Sequence, residues 1–335
     1  MKTILFSHSD LDGIGAIIVG KLYKDKIGID SFLSMDYGFE EKEETLSELL
    51  MYDRIIITDL SPSEGFFNTL IEHGKEVIAF DHHETSAYMS KHEGCVYDKT
   101  RCGTRIFWED YVKPNFARRY PDILADFVKL VDTYDCWRED SPLWEEAVSL
   151  NSVIYAMRDY SIRNDELRSQ SAFIDFTIKK ITLSGMDSWY WTSREQLLIE
   201  TGKRKENEQY ENALSKMQVR IDNKDRTFGL IMIPSKISLV CSRILKENPA
   251  MDYIVCINCY GGVTGKLSFR TKDRFNLNEI GIAHGHPSSA GGMVTPEMAQ
   301  ELWNKQILVL AYKDNPEFKE NDSSTWFEAT EHVPF

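Results

Sequence analysis

EVIAFDHHE, residues 76–84, carries the strongest clue to the architecture: a short apolar run leads straight into Asp81, His82 and His83. A run of this length bounded by polar residues reads as a buried strand. Two adjacent histidines at its end are hard to explain as packing, since each buried ring nitrogen needs its own partner. Two upstream runs have the same form. RIIIT (54–58) opens onto TDLS with Asp59, and TILFS (3–7) opens onto SHSDLDG with His8, Asp10 and Asp12. Short strands alternating with helical patterns predict an α/β domain with a mostly parallel sheet. Ligand sites in open α/β sheets lie beyond the carboxyl ends of the strands, so clusters remote in sequence are expected to converge.

After the first of these runs, GIGAIIVGKLY reads as a helix whose small residues Gly13, Gly15 and Ala16 permit close packing, with Asp12 at the N-cap position. Residues 104–112, 122–132 and 143–157 also read as helices. A polar helical pattern from about 194 to 221 carries Leu198, Tyr210, Leu214 and Met217 at spacings that suit one buried stripe. The whole predicts an α/β chain in which an N-terminal parallel-sheet domain (1–193) is joined by a helical linker (194–225) to a smaller α/β domain (226–312). A polar tail, 313–335, follows and is expected to be mobile or draped on the surface.

At 335 residues and 42% hydrophobic content the chain can bury a sizeable core. Its net charge of −14 excludes a protein that coats long nucleic acid through a broad basic surface, and favours a short substrate held locally. No stretch reaches the roughly 20 apolar residues of a membrane span, and MKTILFSHSD turns polar too early for a signal peptide. A cytoplasmic location is the expectation. The six cysteines form no dense framework, which suits a reducing compartment; the single CxxC, Cys256 and Cys259, sits in a strand-like setting without a second ligand pair.

A fourth acidic cluster, VDTYDCW, offers Asp132 and Asp135. Each cluster alone reads more simply as a capped turn, yet the four together supply oxygen and nitrogen donors for two ions about 3.5–4 Å apart, the arrangement used in phosphoryl hydrolysis. Carboxylate and imidazole donors without thiolates suit manganese, with magnesium as the harder alternative. Arg101 and Arg105 read as a solvated loop and helix start rather than phosphate contacts. Trp137 and the aromatics at 189–191 read as packing, and Asp135 as either a partner of a ligand or a turn residue.

The order SHSDLDG, TDLS, DHHE and VDTYD resembles the four motifs of the DHH phosphoesterase family, with Asp81, His82 and His83 as the namesake triplet. Ser268, Phe269 and Arg270, followed by HGHPSSAGG (284–292), resemble that family's associated C-terminal domain. The resemblance implies metal ligands at His8, Asp10, Asp12, Asp59, His82 and Asp132, with two manganese ions bound and Asp59 between them. It implies a catalytic set of Asp59, Asp81 and His83, with His83 also contacting the substrate phosphate. Arg270, Gly285, His286, Ser289 and Gly291 would grip the nucleotide across a cleft between the domains. The eroded glycine run before His286 departs from the family pattern and alters backbone approach there.

The expected activity is therefore metal-dependent hydrolysis of phosphodiester bonds in short oligonucleotides or dinucleotides. Alternatives are a 3′-phosphoadenosine 5′-phosphate phosphatase, a RecJ-type single-strand exonuclease, or an inactive scaffold; a pyrophosphatase ranks lower because its C-terminal domain differs. Intact motifs weigh against the scaffold, and the sequence is compatible with a homodimer without demanding one.

Overall fold

The computed structural model describes residues 1–117, 120–160, 166–259, 265–272, 275–306 and 308–329. Two compact units divide at Gly202/Lys203, within a helix spanning Ser193–Lys216. In the first unit β1 (Thr3–His8), β2 (Ser31–Met35), β3 (Arg54–Thr58), β4 (Glu76–Asp81) and β5 (Val96–Tyr97) form one sheet in the order β2-β1-β3-β4-β5. Every pairing in it is parallel.

Side chains alternate across a strand, so a sheet covered on both sides must be apolar on both faces. The central strands meet that demand. Leu5, Ile56, Ile78 and Phe80 enter one core with the Leu11–Leu22 and Asp122–Asp135 helices, while Ile4, Phe6, Ile55, Ile57, Val77 and Ala79 enter a second core on the opposite face. Gly13 and Gly15 are the close-packing residues of the Leu11–Leu22 helix. A Cβ on Gly13 would lie 2.1 Å from the His8 carbonyl oxygen, and one on Gly15 would lie 2.7 Å from Thr104 Oγ1. The N-cap of this helix is Asp10 rather than the expected Asp12: Asp10 Oδ1 accepts from the backbone N–H groups of Asp12 and Gly13.

The second unit holds a mixed sheet of β6 (Gln218–Ile221), β7 (Thr227–Ile233), β8 (Tyr253–Asn258), β9 (Lys266–Thr271), β10 (His284–His286) and β11 (Ser289–Met293), ordered β10-β11-β9-β8-β7-β6. Only β7 and β8 are parallel within it. The segment read as a linker therefore contains β6, a strand of this sheet. The segment read as a tail is built into the same unit as far as residue 329. There β12 (Leu308–Leu310) pairs with β13 (Phe327–Ala329), and Phe318, Trp326 and Phe327 pack on the unit's core. Three aromatics scattered among charged residues are enough to anchor it, a signal too sparse to show as a period. Residues 330–335 of that segment lie outside the described residues. No helix among the described residues is long and apolar enough to cross a membrane.

Candidate metal centre

Register brings the first three clusters together. Ser7 is paired with Thr58, and Thr58 with Phe80, so β1, β3 and β4 end level with one another. The next residues along the chain are His8, Asp59 and Asp81. The strand ends are stitched by hydroxyls, Thr58 Oγ1 donating to Ser7 Oγ at 2.7 Å. Asp59 takes a left-handed backbone conformation, φ 51°, which few residues besides glycine, asparagine and aspartate adopt readily. Gly103 lies against it, where a Cβ would meet Asp59 Cβ at 2.7 Å and its backbone nitrogen at 2.8 Å.

Around Asp59 the donors converge. His8 Nδ1 is 3.0 Å from Asp10 Oδ2 and 3.8 Å from Asp59 Oδ2. His82 Nε2 is 3.4 Å from Asp59 Oδ1 and 3.3 Å from Asp135 Oδ2. Asp12 is fully buried and its two oxygens accept from the N–H groups of Gly103 and Thr104, at 2.7 and 2.8 Å. An ionised carboxylate has about four lone-pair sites, so those bonds orient Asp12 without exhausting it.

Charge accounts for the protonation. Burial disfavours a charged His8, but Asp10, through its charge and hydrogen bond, with Asp36 and Asp135 behind it, raises the pKa to about 9. Burial also opposes a charged His82, and Asp135, Cys136, Asp12 and Asp81 together raise it to about 10. Asp59 is pushed well above the usual carboxylate range by burial and then by Asp12, Asp10, Asp135 and Asp81. The Oδ2 atoms of Asp59 and Asp135 are buried and have no hydrogen-bond partner. Crowded carboxylates that raise their neighbours' pKa, together with buried acceptors lacking donors, are what a cation site looks like to its own ligands. The donor set fits divalent cations.

Two of the expected site residues have other partners. Among the described residues, Asp132 is in none of the groups whose donor atoms converge. Its Oδ1 accepts from the Cys102 N–H at 3.0 Å, and its Oδ2 accepts from Arg105 Nη1 at 2.9 Å and Arg138 Nε at 3.1 Å. Asp135, three residues on and most of a turn further round the helix, faces His82 instead. Asp81 is likewise occupied. Its Oδ1 accepts from the backbone N–H groups of His82 and His83 and from His83 Nδ1, at 2.7, 3.2 and 2.7 Å, and its Oδ2 accepts from Ser86 Oγ. Against burial, those partners hold the Asp81 pKa at about 2, so it stays a carboxylate that positions His83.

Two neighbours are not among the expected site residues. Cys136 joins His82 and Asp135 as a group whose donor atoms lie within 4.8 Å of one another. Tyr37, in the loop after β2, places its hydroxyl 3.1 Å from His83 Nε2. Arg101 is not simply solvated: it pairs with Asp98, Glu109 and Asp110. Trp137 packs with Tyr134 and Trp144, and Trp189, Tyr190 and Trp191 surround Lys180 Nζ. Among the described residues no candidate metal group contains Cys256 or Cys259.

In the second unit, strand pairing sets Arg270 opposite Ser289 and Ser289 opposite His286, so the three occupy one rung of the sheet. Partners on a rung point to the same face. Arg270 is held in place by donating to Phe269 O at 2.7 Å and to Ser238 Oγ at 2.8 Å. Gly285 has φ 138°, a backbone conformation that favours glycine, and Gly291 pairs with Ser268 two rungs along.

No family model matches the chain. It is 27% identical over 311 residues to oligoribonuclease NrnB of Bacillus subtilis (strain 168), an alignment covering 88% of this chain and 73% of that protein. The DHH domain of a member of the s1p family of ribosomal proteins superposes with a TM-score of 0.61 at 13% identity, over 91% of this chain and 86% of the other. RecJ of Thermus thermophilus, solved in complex with Mn2+, gives a TM-score of 0.49 at 14% identity, over 89% of this chain and 50% of that one.

Proposed function

Because the chain belongs to the DHH phosphoesterase family, we propose that it hydrolyses phosphodiester bonds of short oligonucleotides or dinucleotides, with divalent cations bound by His8, Asp10, Asp12, Asp59, His82 and Asp135. The observation that carries this reading is the pair of buried oxygens that accept no hydrogen bond, Asp59 Oδ2 and Asp135 Oδ2, facing the rings of His8 and His82. Asp135 takes the position that the motif resemblance gave to Asp132. Two ions, with manganese the first choice, and a cytoplasmic setting are the finer parts of the same proposal. The likeness to an oligoribonuclease supports a short nucleic acid as the substrate.

When bound, such cations lower the pKa of water toward neutrality and offset negative charge developing on the phosphoryl group. The chain's own residues supply the rest. The fixed Asp59 backbone and the Gly103 contact keep its carboxylate central to the cluster. Asp81 accepts from His83 Nδ1 and so fixes the ring, with Nε2 on the Tyr37 hydroxyl at 3.1 Å; a phosphate oxygen reaching Nε2 would share or displace that contact. The Arg270, Ser289 and His286 rung is the proposed nucleotide grip of the second unit, with Arg270 suited to a charge-assisted contact.

A manganese titration with a labelled dinucleotide, a 5-mer and a 30-mer tests the proposal. Cleavage of the two shorter substrates is expected. Preference for the 30-mer would overturn the short-substrate assignment, and no cleavage of any would return the chain to the scaffold reading.

A further inference from the structure

Tyr37 stands at the metal centre in a way that no motif assigns. Its hydroxyl is anchored on His83 Nε2 at 3.1 Å, and its ring centroid is 4.9 Å from that of His8 and 6.1 Å from that of His83. Yet the residue is 51% exposed, among the most exposed large apolar side chains described. It is displayed by a turn that requires Gly38 for its backbone: φ there is 84°, while a Cβ would meet nothing within 4 Å. The glycine therefore serves the turn's conformation, not close packing.

We propose that Tyr37 is the stacking surface for the nucleobase beside the bond being cleaved, and so a specificity-determining residue of this centre. The proposal rests on the short-oligonucleotide reading above. A site crowded with carboxylates has little to offer an incoming polyanion besides its cations, whereas a nucleobase is uncharged and presents a π-face to any aromatic ring. The two ends of Tyr37 divide the work. The hydroxyl bond and the His8 contact immobilise the ring, and the open area remains for a partner. A ring already held in place loses little rotamer freedom when a base stacks on it. The location is also specific: the hydroxyl touches the imidazole nitrogen proposed to meet the phosphate, so a stacked base would belong to the nucleotide at the cleaved bond.

The test is steady-state cleavage of a trinucleotide and of the same trinucleotide carrying an abasic terminal residue, with the parent protein and the Tyr37→Ala, Tyr37→Phe and Tyr37→Trp variants. Tyr37→Ala is expected to raise KM for the intact trinucleotide on the order of tenfold, the scale of one lost base stack. The abasic substrate should show a much smaller change, and Phe and Trp should each recover most of the loss. Equal KM increases on both substrates, no increase on the intact one, or Phe behaving like Ala would overturn the stacking role. Absence of cleavage by the parent protein overturns the functional reading itself, and this inference with it.

Discussion

His82 Nε2 lies 3.3 Å from Asp135 Oδ2, while Asp132, on the preceding turn of the same helix, lies against Arg105 and Arg138. The two aspartates of one short motif thus have separate duties, and substitution should separate them. Asp135→Asn is expected to abolish metal-stimulated hydrolysis with little effect on the fold. Asp132→Ala would leave two arginines and the Cys102 N–H without their shared acceptor, a loss of about 1–2 kcal/mol because water reaches both arginines, whose side chains are 32% and 39% exposed. Urea unfolding with isothermal titration of manganese checks both. Loss of metal binding in an Asp132 variant that unfolds like the parent would reverse the assignment.

Asp59 is destabilising to its own fold when no cation is present, because burial and four neighbouring carboxylates disfavour its charge. Asparagine keeps the shape and tolerates the left-handed backbone at φ 51°. Asp59→Asn should therefore melt higher than the parent without metal, by a few degrees, and gain nothing on adding manganese. A lower metal-free melting temperature would contradict this account.

Protons and cations compete at the two histidines. With folded pKa values raised to about 9 for His8 and about 10 for His82, both rings are charged at pH 7 in the metal-free site. Metal binding must expel those protons, so affinity should climb between pH 6 and 9, by up to about tenfold per pH unit for each proton released. The sign for the metal-free fold is opposite. A raised histidine pKa contributes stability that is complete below the unfolded value near 6.5 and is lost as pH rises through 9 and 10. Titrations in buffers of differing ionisation enthalpy would report the proton count, and zero release would refute the scheme.

Gly103→Ala is a probe of packing that removes no ligand. The added methyl would sit 2.7 Å from Asp59 Cβ and 2.8 Å from its backbone nitrogen, so the strand end or the following turn must shift. Metal affinity should fall at least roughly tenfold, a magnitude set by the sensitivity of such centres to small displacements. Unchanged affinity would show that Asp59 has room to move.

Lys180 and Glu195 form a pair with each side chain 2% exposed, Nζ lying 2.9 Å from Oε1 and 3.8 Å from the centre of the Trp189 ring. Lys180→Met leaves the carboxylate buried with only Thr192 to bond it, and should cost about 3 kcal/mol in urea unfolding. Adding Glu195→Gln should restore part of that. A double variant no better than the single one would mean that the cage of rings, rather than the ion pair, carries the stability.

The composition of the centre is legible because its strands announce themselves: three apolar runs end in His8, Asp59 and Asp81, and parallel pairing leaves those ends level. The same local logic fails wherever a side chain's direction depends on the third dimension. VDTYDCW offers two aspartates, and only the angular position round the helix and the presence of Arg105 and Arg138, one of them 27 residues upstream, settle which faces the histidines. The family resemblance puts Asp81 in the catalytic set, but in the fold Ser86, His83 and two backbone N–H groups bond its oxygens. Tyr37 lies in no motif, and Cys136, although inside VDTYDCW, has nothing in its spacing that sets it beside His82.

The class of fold and the chemistry of the donors could be read from the chain alone, because alternation and strand-end polarity are properties of neighbouring residues. Which carboxylates remain without donors could not. That outcome depends on groups the fold assembles from separate strands and helices, where burial and charge crowding make the Oδ2 atoms of Asp59 and Asp135, which accept no hydrogen bond, a demand for a cation.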